Sequence, residues 1–226
     1  FPKMNSKSLM VIDPSLIKPE IQSYNHISSR SPVTTTYHLP ALFDPKSMDI
    51  VISETCGIIL MGSASSVYDK HEWLTNIHSI LEQAFARNIP TLGICFGHQF
   101  IAHMFGGTID YLWNDEKKKG TRIVKLNNHS ILEESVEGDL IYSHREGVTI
   151  CPSNFEISAK SDMVQIDGIT HKSKPIWGIQ PHIEATFDFA KSSGVSEESF
   201  QPAFQFGTQI LDRFLKKLEE VHRDNN

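Results

Sequence analysis

Cysteine is scarce in this chain: three residues, at positions 56, 95 and 151, in 226. Their wide spacing gives neither a disulfide framework nor a C-x-x-C metal pair, which points to a reducing, cytoplasmic setting. Long apolar runs are missing too. No stretch approaches the length of a membrane span, and Leu9–Ile12 is too short for a signal-peptide core and is cut off by Asp13-Pro14. Positive charge is short as well. A formal net charge of -6 argues against a nucleic-acid partner held through phosphate contacts. The one basic run, Lys117-Lys118-Lys119, follows Asp115-Glu116 and reads as a solvated loop. There is no glycine-rich phosphate loop. His71, His78 and His103 fall on helical stretches without a second ligand at metal spacing, so neither a metal site nor a cofactor is expected.

What remains is an α/β pattern. The length suits one domain over residues 1–226 with a sizeable core. Residues 8–13 and Gly57–Met61 read as buried strands, and Val33–Tyr37 has strand composition in an otherwise weakly patterned stretch to about residue 50. Glu72–Arg87 reads as an amphipathic helix with Trp73, Leu74, Ile77, Ile80, Leu81, Ala84 and Phe85 on one face, ended by Asn88 and Pro90. Strand and helix in alternation imply right-handed crossovers and a mainly parallel central sheet with helices on both faces. After Gly107 the rhythm changes. Thr121–Leu126, Asp139–Ser143, Phe155–Ala159 and Met163–Ile166 are short strand-like runs that suggest a small antiparallel section. Pro175–Gln180 reads as a further buried strand. Ser192–Pro202 reads as a loop, and Phe204–Val221 as the last helix, burying Ile210, Leu211, Phe214, Leu215 and Leu218.

The stretch from Pro90 to Gly107 carries the chemistry. A short strand runs into Gly93-x-Cys95-x-Gly97 and then a helix bearing Phe100, Ile101, Met104 and Phe105, stopped by Gly106-Gly107. A sharp strand-to-helix turn strains its corner residue and needs small neighbours two positions away on each side, the geometry of a nucleophile elbow, here with Cys. It leaves the thiol at a helix N-terminus, where unpaired N–H groups and the helix dipole favour a thiolate. Such a nucleophile needs a base and an orienting partner. Pro181-His182-Ile183-Glu184 follows a strand, so it belongs to the same sheet edge as Cys95, and in extended backbone Glu184 points the same way as His182. The Phe96 amide at the elbow and the loop Gly62-Ser63 after another strand are the natural oxyanion donors. Cys56 and Cys151 read as core or near-surface residues, and His98 as structural.

Gly93-Ile94-Cys95-Phe96-Gly97-His98-Gln99, together with Trp177-Gly178-Ile179-Gln180-Pro181-His182-Ile183-Glu184, resembles the class I glutamine amidotransferases over nearly the whole chain. Gly62-Ser63-Ala64-Ser65-Ser66-Val67-Tyr68 resembles the oxyanion loop of the GMP-synthase-like branch. The resemblance implies a flavodoxin-like fold and a Cys-His-Glu triad that cleaves the side-chain amide of glutamine through a γ-glutamyl thioester. Carried over, Cys95 is the nucleophile, His182 the general base and acid, and Glu184 its orienter. The amides of Ser63 and Phe96 beside Gly62 form the oxyanion hole, Gln99 holds the substrate's amino-acid end, and Ser143-His144 lines the glutamine pocket.

The chain departs from the family pattern at Pro181 and Ile183, where the family commonly has Phe and Pro, at Ser63 and Ala64, where it has Gly and Pro, and at Lys118, where it commonly has Glu. A charge exchanged beside a pocket for a zwitterion bears on which γ-glutamyl compound is the substrate. Three functions follow: a stand-alone glutaminase whose ammonia acceptor lies on a separate synthase chain, a γ-glutamyl peptidase acting on glutathione-like conjugates, and a binding or regulatory subunit without catalysis. The intact Cys95, His182 and Glu184 favour the enzymes.

Overall fold

A computed structural model describes residues 7–223; the ends of the expected domain, 1–6 and 224–226, lie outside the described residues. The apolar runs form the strands that their composition demands. β1 (Ser8–Ile12) and β3 (Thr55–Leu60) are buried along their whole length, as strands covered on both faces must be. With β2 (Thr34–His38), β4 (Thr91–Ile94) and β11 (Ile176–Ile179) they make the parallel half of a sheet in the order β2-β1-β3-β4-β11. The antiparallel half continues from β11 through β10 (Gly168–His171), β9 (Phe155–Lys160), β6 (Lys118–Leu126) and β7 (Val136–His144). A separate ribbon pairs β5 (Thr108–Tyr111) with β8 (Glu146–Ile150).

Helices cover both faces, and a hydrophobic core lies on each. On one face α2 (Ser47–Val51), α3 (Glu72–Ala86) and α4 (Phe96–Met104) close over Met10, Ile58 and Leu60. On the other, α1 (Ile21–Arg30) and α6 (Glu197–Arg223) close over Leu9, Val11 and Ile59. All seven apolar positions expected on α3 are buried. The helix ends at Ala86, and Asn88 beyond it takes a left-handed turn with φ 52° that frees the chain before Pro90. The five residues expected to anchor the last helix are all within 3% of full burial.

Four expectations are corrected. Met163–Ile166 is not a strand: the Ser161 N–H donates to the Val164 carbonyl and the Val164 N–H to Ser161 Oγ, so these groups close a turn and β10 starts only at Gly168. Residues 192–202 are not one loop. α5 (Phe187–Ser192) ends at Gly194, and α6 begins at Glu197, before Pro202. Ser196 caps α6 by accepting the Ser199 N–H, with Glu197 and Glu198 against the positive end of the helix dipole. The weakly patterned stretch before residue 50 holds α1, whose only buried residues are Ser23 and Ile27, too few to make a pattern. Lys118 and Lys119, read as loop, open β6.

Candidate active site

Leu60, Ile94 and Ile179 end three neighbouring parallel strands, and the segments after them meet at the same sheet edge. The middle segment is the elbow. Cys95 follows β4 with φ 53° and ψ -107°, a conformation that costs a side-chain-bearing residue about 1–3 kcal/mol. Two glycines make room for it. A β-carbon on Gly93 would stand 2.4 Å from the Gly97 carbonyl oxygen, and one on Gly97 would stand 2.1 Å from the Leu60 carbonyl oxygen. The Cys95 N–H donates to the Ile179 carbonyl at 2.9 Å, tying the elbow to β11. The helix expected from Phe100 begins at Phe96, so Cys95 stands directly at its N-terminus. The Phe96 N–H, first of that helix, has no turn below it to bond.

Beyond β11 the chain is fixed by the His182 N–H donating to the Ile141 carbonyl at 2.8 Å. Nδ1 of His182 lies 2.8 Å from Oε1 of Glu184, and both side chains are buried. Burial alone would push the imidazole pKa down. The charges of Glu184 and Cys95, with hydrogen bonds to both, outweigh it and hold His182 well above the ordinary histidine value. The Phe189 ring lies 4.4 Å from the imidazole, centroid to centroid. Ile183, where the family commonly has Pro, is a core residue: Gly207 of α6 lets the helix approach so closely that a β-carbon there would stand 2.9 Å from the Ile183 carbonyl oxygen.

Two cavities open on either side of Cys95, sharing Ser63, Ala64, Lys117 and Ser143 in their walls. One, of about 170 Å³, is polar and lined by Gln99, His144, Arg145 and Glu146. The other, of about 300 Å³, contains Gly62, His182 and Glu184 together with Leu16, Ile17 and Phe189. The structure thus brings together Cys95, His182, Glu184, Gly62, Ser63, Gln99, Ser143 and His144, with Phe96 at the elbow beside them. Lys118 instead sits over the Trp113 ring at 5.1 Å, and the lysine in the cavity walls is Lys117. Among the described residues no group of three His, Cys, Asp or Glu side chains is placed to hold a metal ion.

Behind the polar cavity a buried network ties Gln99 and His144, expected to bind the substrate, to Gln180, Arg122 and Asp167, which the motifs did not single out as functional. Gln180 Nε2 donates toward Cys95 Sγ at 3.5 Å, and Gln180 Oε1 accepts from Gln99 Nε2 at 3.1 Å. Gln99 Nε2 also donates to the Glu146 carbonyl at 2.9 Å. His144 Nε2 accepts from Arg122 at 2.9 Å, so its Nδ1 carries the proton and donates to the Glu146 carbonyl at 2.7 Å. Burial first, and then the Arg122 charge, pushes the His144 pKa down to about 3, which keeps it neutral. Arg122 is itself paired with buried Asp167. Its signal in the sequence is position: it alternates with Val124 and Leu126 on the inward face of β6. His98 is fully buried, with a pKa near 3 through burial, as a structural residue would be.

Among the described residues no helix is long and apolar enough to cross a membrane. Residues 23–198 match the family model described as glutamine amidotransferase class-I. The chain is 30% identical over 184 residues to a subunit of the glutamine-hydrolyzing GMP synthase of Methanopyrus kandleri, covering 81% of this chain and 85% of that one. It is 27% identical to the glutamine-hydrolyzing GMP synthase of Thermosipho melanesiensis, covering 80% of this chain but spanning 31% of that longer relative. The fold is similar to that of a glutamine amidotransferase from Thermotoga maritima, with a TM-score of 0.76 at 18% identity over 94% of this chain and 98% of that one. An elbow cysteine facing a buried histidine–glutamate pair, on this fold and with these sequence relatives, leaves one family: the chain belongs to the class-I glutamine amidotransferases.

Proposed function

We propose that residues 1–226 form one amidotransferase unit that hydrolyses the side-chain amide of glutamine through Cys95. The observation that carries this reading is the strained Cys95 beside a His182–Glu184 pair held at 2.8 Å. The Cys95 thiolate attacks the carboxamide carbon. The oxyanion is received by the Ser63 and Phe96 N–H groups, a kind of contact whose loss typically costs ~10²–10³ in rate. His182, charged and oriented by Glu184, gives its proton to the amide nitrogen, the C–N bond breaks and ammonia leaves. Water then gives a proton back to His182 and attacks the thioester carbon. The C–S bond breaks, glutamate departs, and the thiolate is restored.

The polar cavity suits the amino-acid end of glutamine. Gln99 uses its amide nitrogen on the Glu146 carbonyl and Gln180, which leaves its Oε1 as the acceptor for a substrate ammonium. Ser143 adds a hydroxyl to the lining, and His144 fixes the Glu146 carbonyl. The similarity to a relative that is one subunit of GMP synthase supports a separate synthase chain as the ammonia acceptor. A thiol nucleophile fits the reducing cytoplasm. Glutamate release from glutamine by the purified chain, beside Cys95→Ala, tests the reading.

A further inference from the structure

The larger cavity is built for more than ammonia. It lies on the His182 side of Cys95: His182 and Glu184 are in its walls and in none of the polar cavity's. Under the mechanism above, on which this inference rests, the leaving nitrogen takes its proton from His182 and therefore departs on this side. Room for ammonia, a molecule about the size of water, takes only about 10–15 Å³ of cavity volume. The space here is about 300 Å³. Most of its wall is apolar, with Ser15, Lys18, Glu20 and Lys117 as polar residues among the lining. Met61 and Ala64 form one side, Phe189 backs the imidazole, and the loop after β1 adds Leu16 and Ile17. Ile17 is 90% exposed and Leu16 39%, so at the rim Leu16 is partly covered and Ile17 almost uncovered by the described residues. The loop that carries them is not slack: Asp13, at the end of β1, accepts the Ser15 and Glu20 N–H groups and the Tyr37 hydroxyl.

We propose that this cavity is a leaving-group site, and that the enzyme's preferred substrates are γ-glutamyl amides whose nitrogen carries an apolar substituent. The glutamyl end sits against Gln99 as glutamine's would. The substituent lies over Met61, Phe189, Leu16 and Ile17. The thiolate forms the same thioester, His182 protonates the substituted nitrogen, the C–N bond breaks, and a primary amine leaves in place of ammonia. Water releases glutamate, so the sum is amide plus water to glutamate plus amine.

The test is a series of γ-glutamyl alkylamides, ethyl through hexyl, whose amines are nearly equal in basicity, beside glutamine itself. Each methylene that enters the cavity raises kcat/KM about fourfold, and the rise stops when the cavity is full. Ile17→Asp, a change at an exposed rim position that leaves the core untouched, flattens the series. A series that is flat in the unaltered enzyme, or glutamine cleaved better than every alkylamide, overturns the proposal and leaves the glutaminase reading standing. Alkylation of Cys95 by a diazoketone analogue of glutamine reports the glutamyl site separately. Alkylation with turnover of glutamine but of no alkylamide overturns this proposal alone, whereas neither alkylation nor turnover overturns the reading beneath it.

Discussion

Gly62 lies so close to His182 that a β-carbon on it would stand 2.9 Å from the imidazole Cε1, and 3.5 Å from the Cys95 β-carbon. The glycine after β3 is therefore fixed by the site rather than by a turn. Gly62→Ala must displace an imidazole that Glu184 holds at Nδ1. A misplacement of that order costs about 10²-fold in rate, and because the new methyl faces a cavity, Tm changes little. Glutaminase kcat beside a thermal melt checks both halves.

Gly97→Ala is different, because its new methyl meets backbone, the Leu60 carbonyl oxygen at 2.1 Å. Neither α4 nor β3 can give way without disturbing the sheet. Overpacking typically costs about 1–3 kcal/mol, and a clash with backbone on both sides places this variant at or beyond the upper end. A fall in Tm with loss of soluble yield is the expected result; a stable variant would mean that the elbow is less tightly packed.

The His182–Glu184 pair makes stability depend on pH. The folded pKa of His182 is raised, so its contribution to stability is fully present below the unfolded value of about 6.5 and is lost as pH rises through the folded value. Glu184→Gln removes the strongest cause of that rise. The stability gap between the two proteins should therefore be widest near about pH 6 and narrow as the pH is raised. Denaturant melts at a series of pH values measure it, and a gap that widens with pH would contradict the assignment.

Gln180 bridges Cys95 and Gln99, and its side chain is wholly buried. Gln180→Glu keeps the shape but puts a carboxylate beside the sulfur, which disfavours a second negative charge there. Alkylation of Cys95 by iodoacetamide should shift to higher pH than in the unaltered protein. Gln180→Leu should raise KM for glutamine, because Gln99 loses one of its two tethers, at a stability cost of roughly 1–3 kcal/mol.

What the sequence discloses depends on where each constraint sits. Gly93-x-Cys95-x-Gly97 is a local constraint, since the clash of a side chain at 93 involves residues only four positions away. It could be read directly, as could α3, whose buried face repeats along one helix. The Arg122–His144–Glu146–Gln99 network joins β6, β7, β8 and α4, and no local pattern records such a meeting. Met163–Ile166 shows the opposite failure: apolar composition suggested a strand, but the Ser161 hydroxyl and backbone bind Val164 into a turn. Of the cavity walls the sequence named Cys95, Ser63 and Ser143, which both share, Gln99 and His144 of the polar one, and Gly62, His182 and Glu184 of the larger. Leu16 and Ile17, at the apolar rim of the larger one, come from the loop after β1, far from any motif.

The central claim is that Cys95 is the nucleophile of a γ-glutamyl amide hydrolase. The most direct measurement is glutamate release by the purified chain, from glutamine and from γ-glutamyl alkylamides, compared with Cys95→Ala at matched fold and concentration. The account predicts release by the unaltered chain and none by Cys95→Ala. Equal release by both would contradict it.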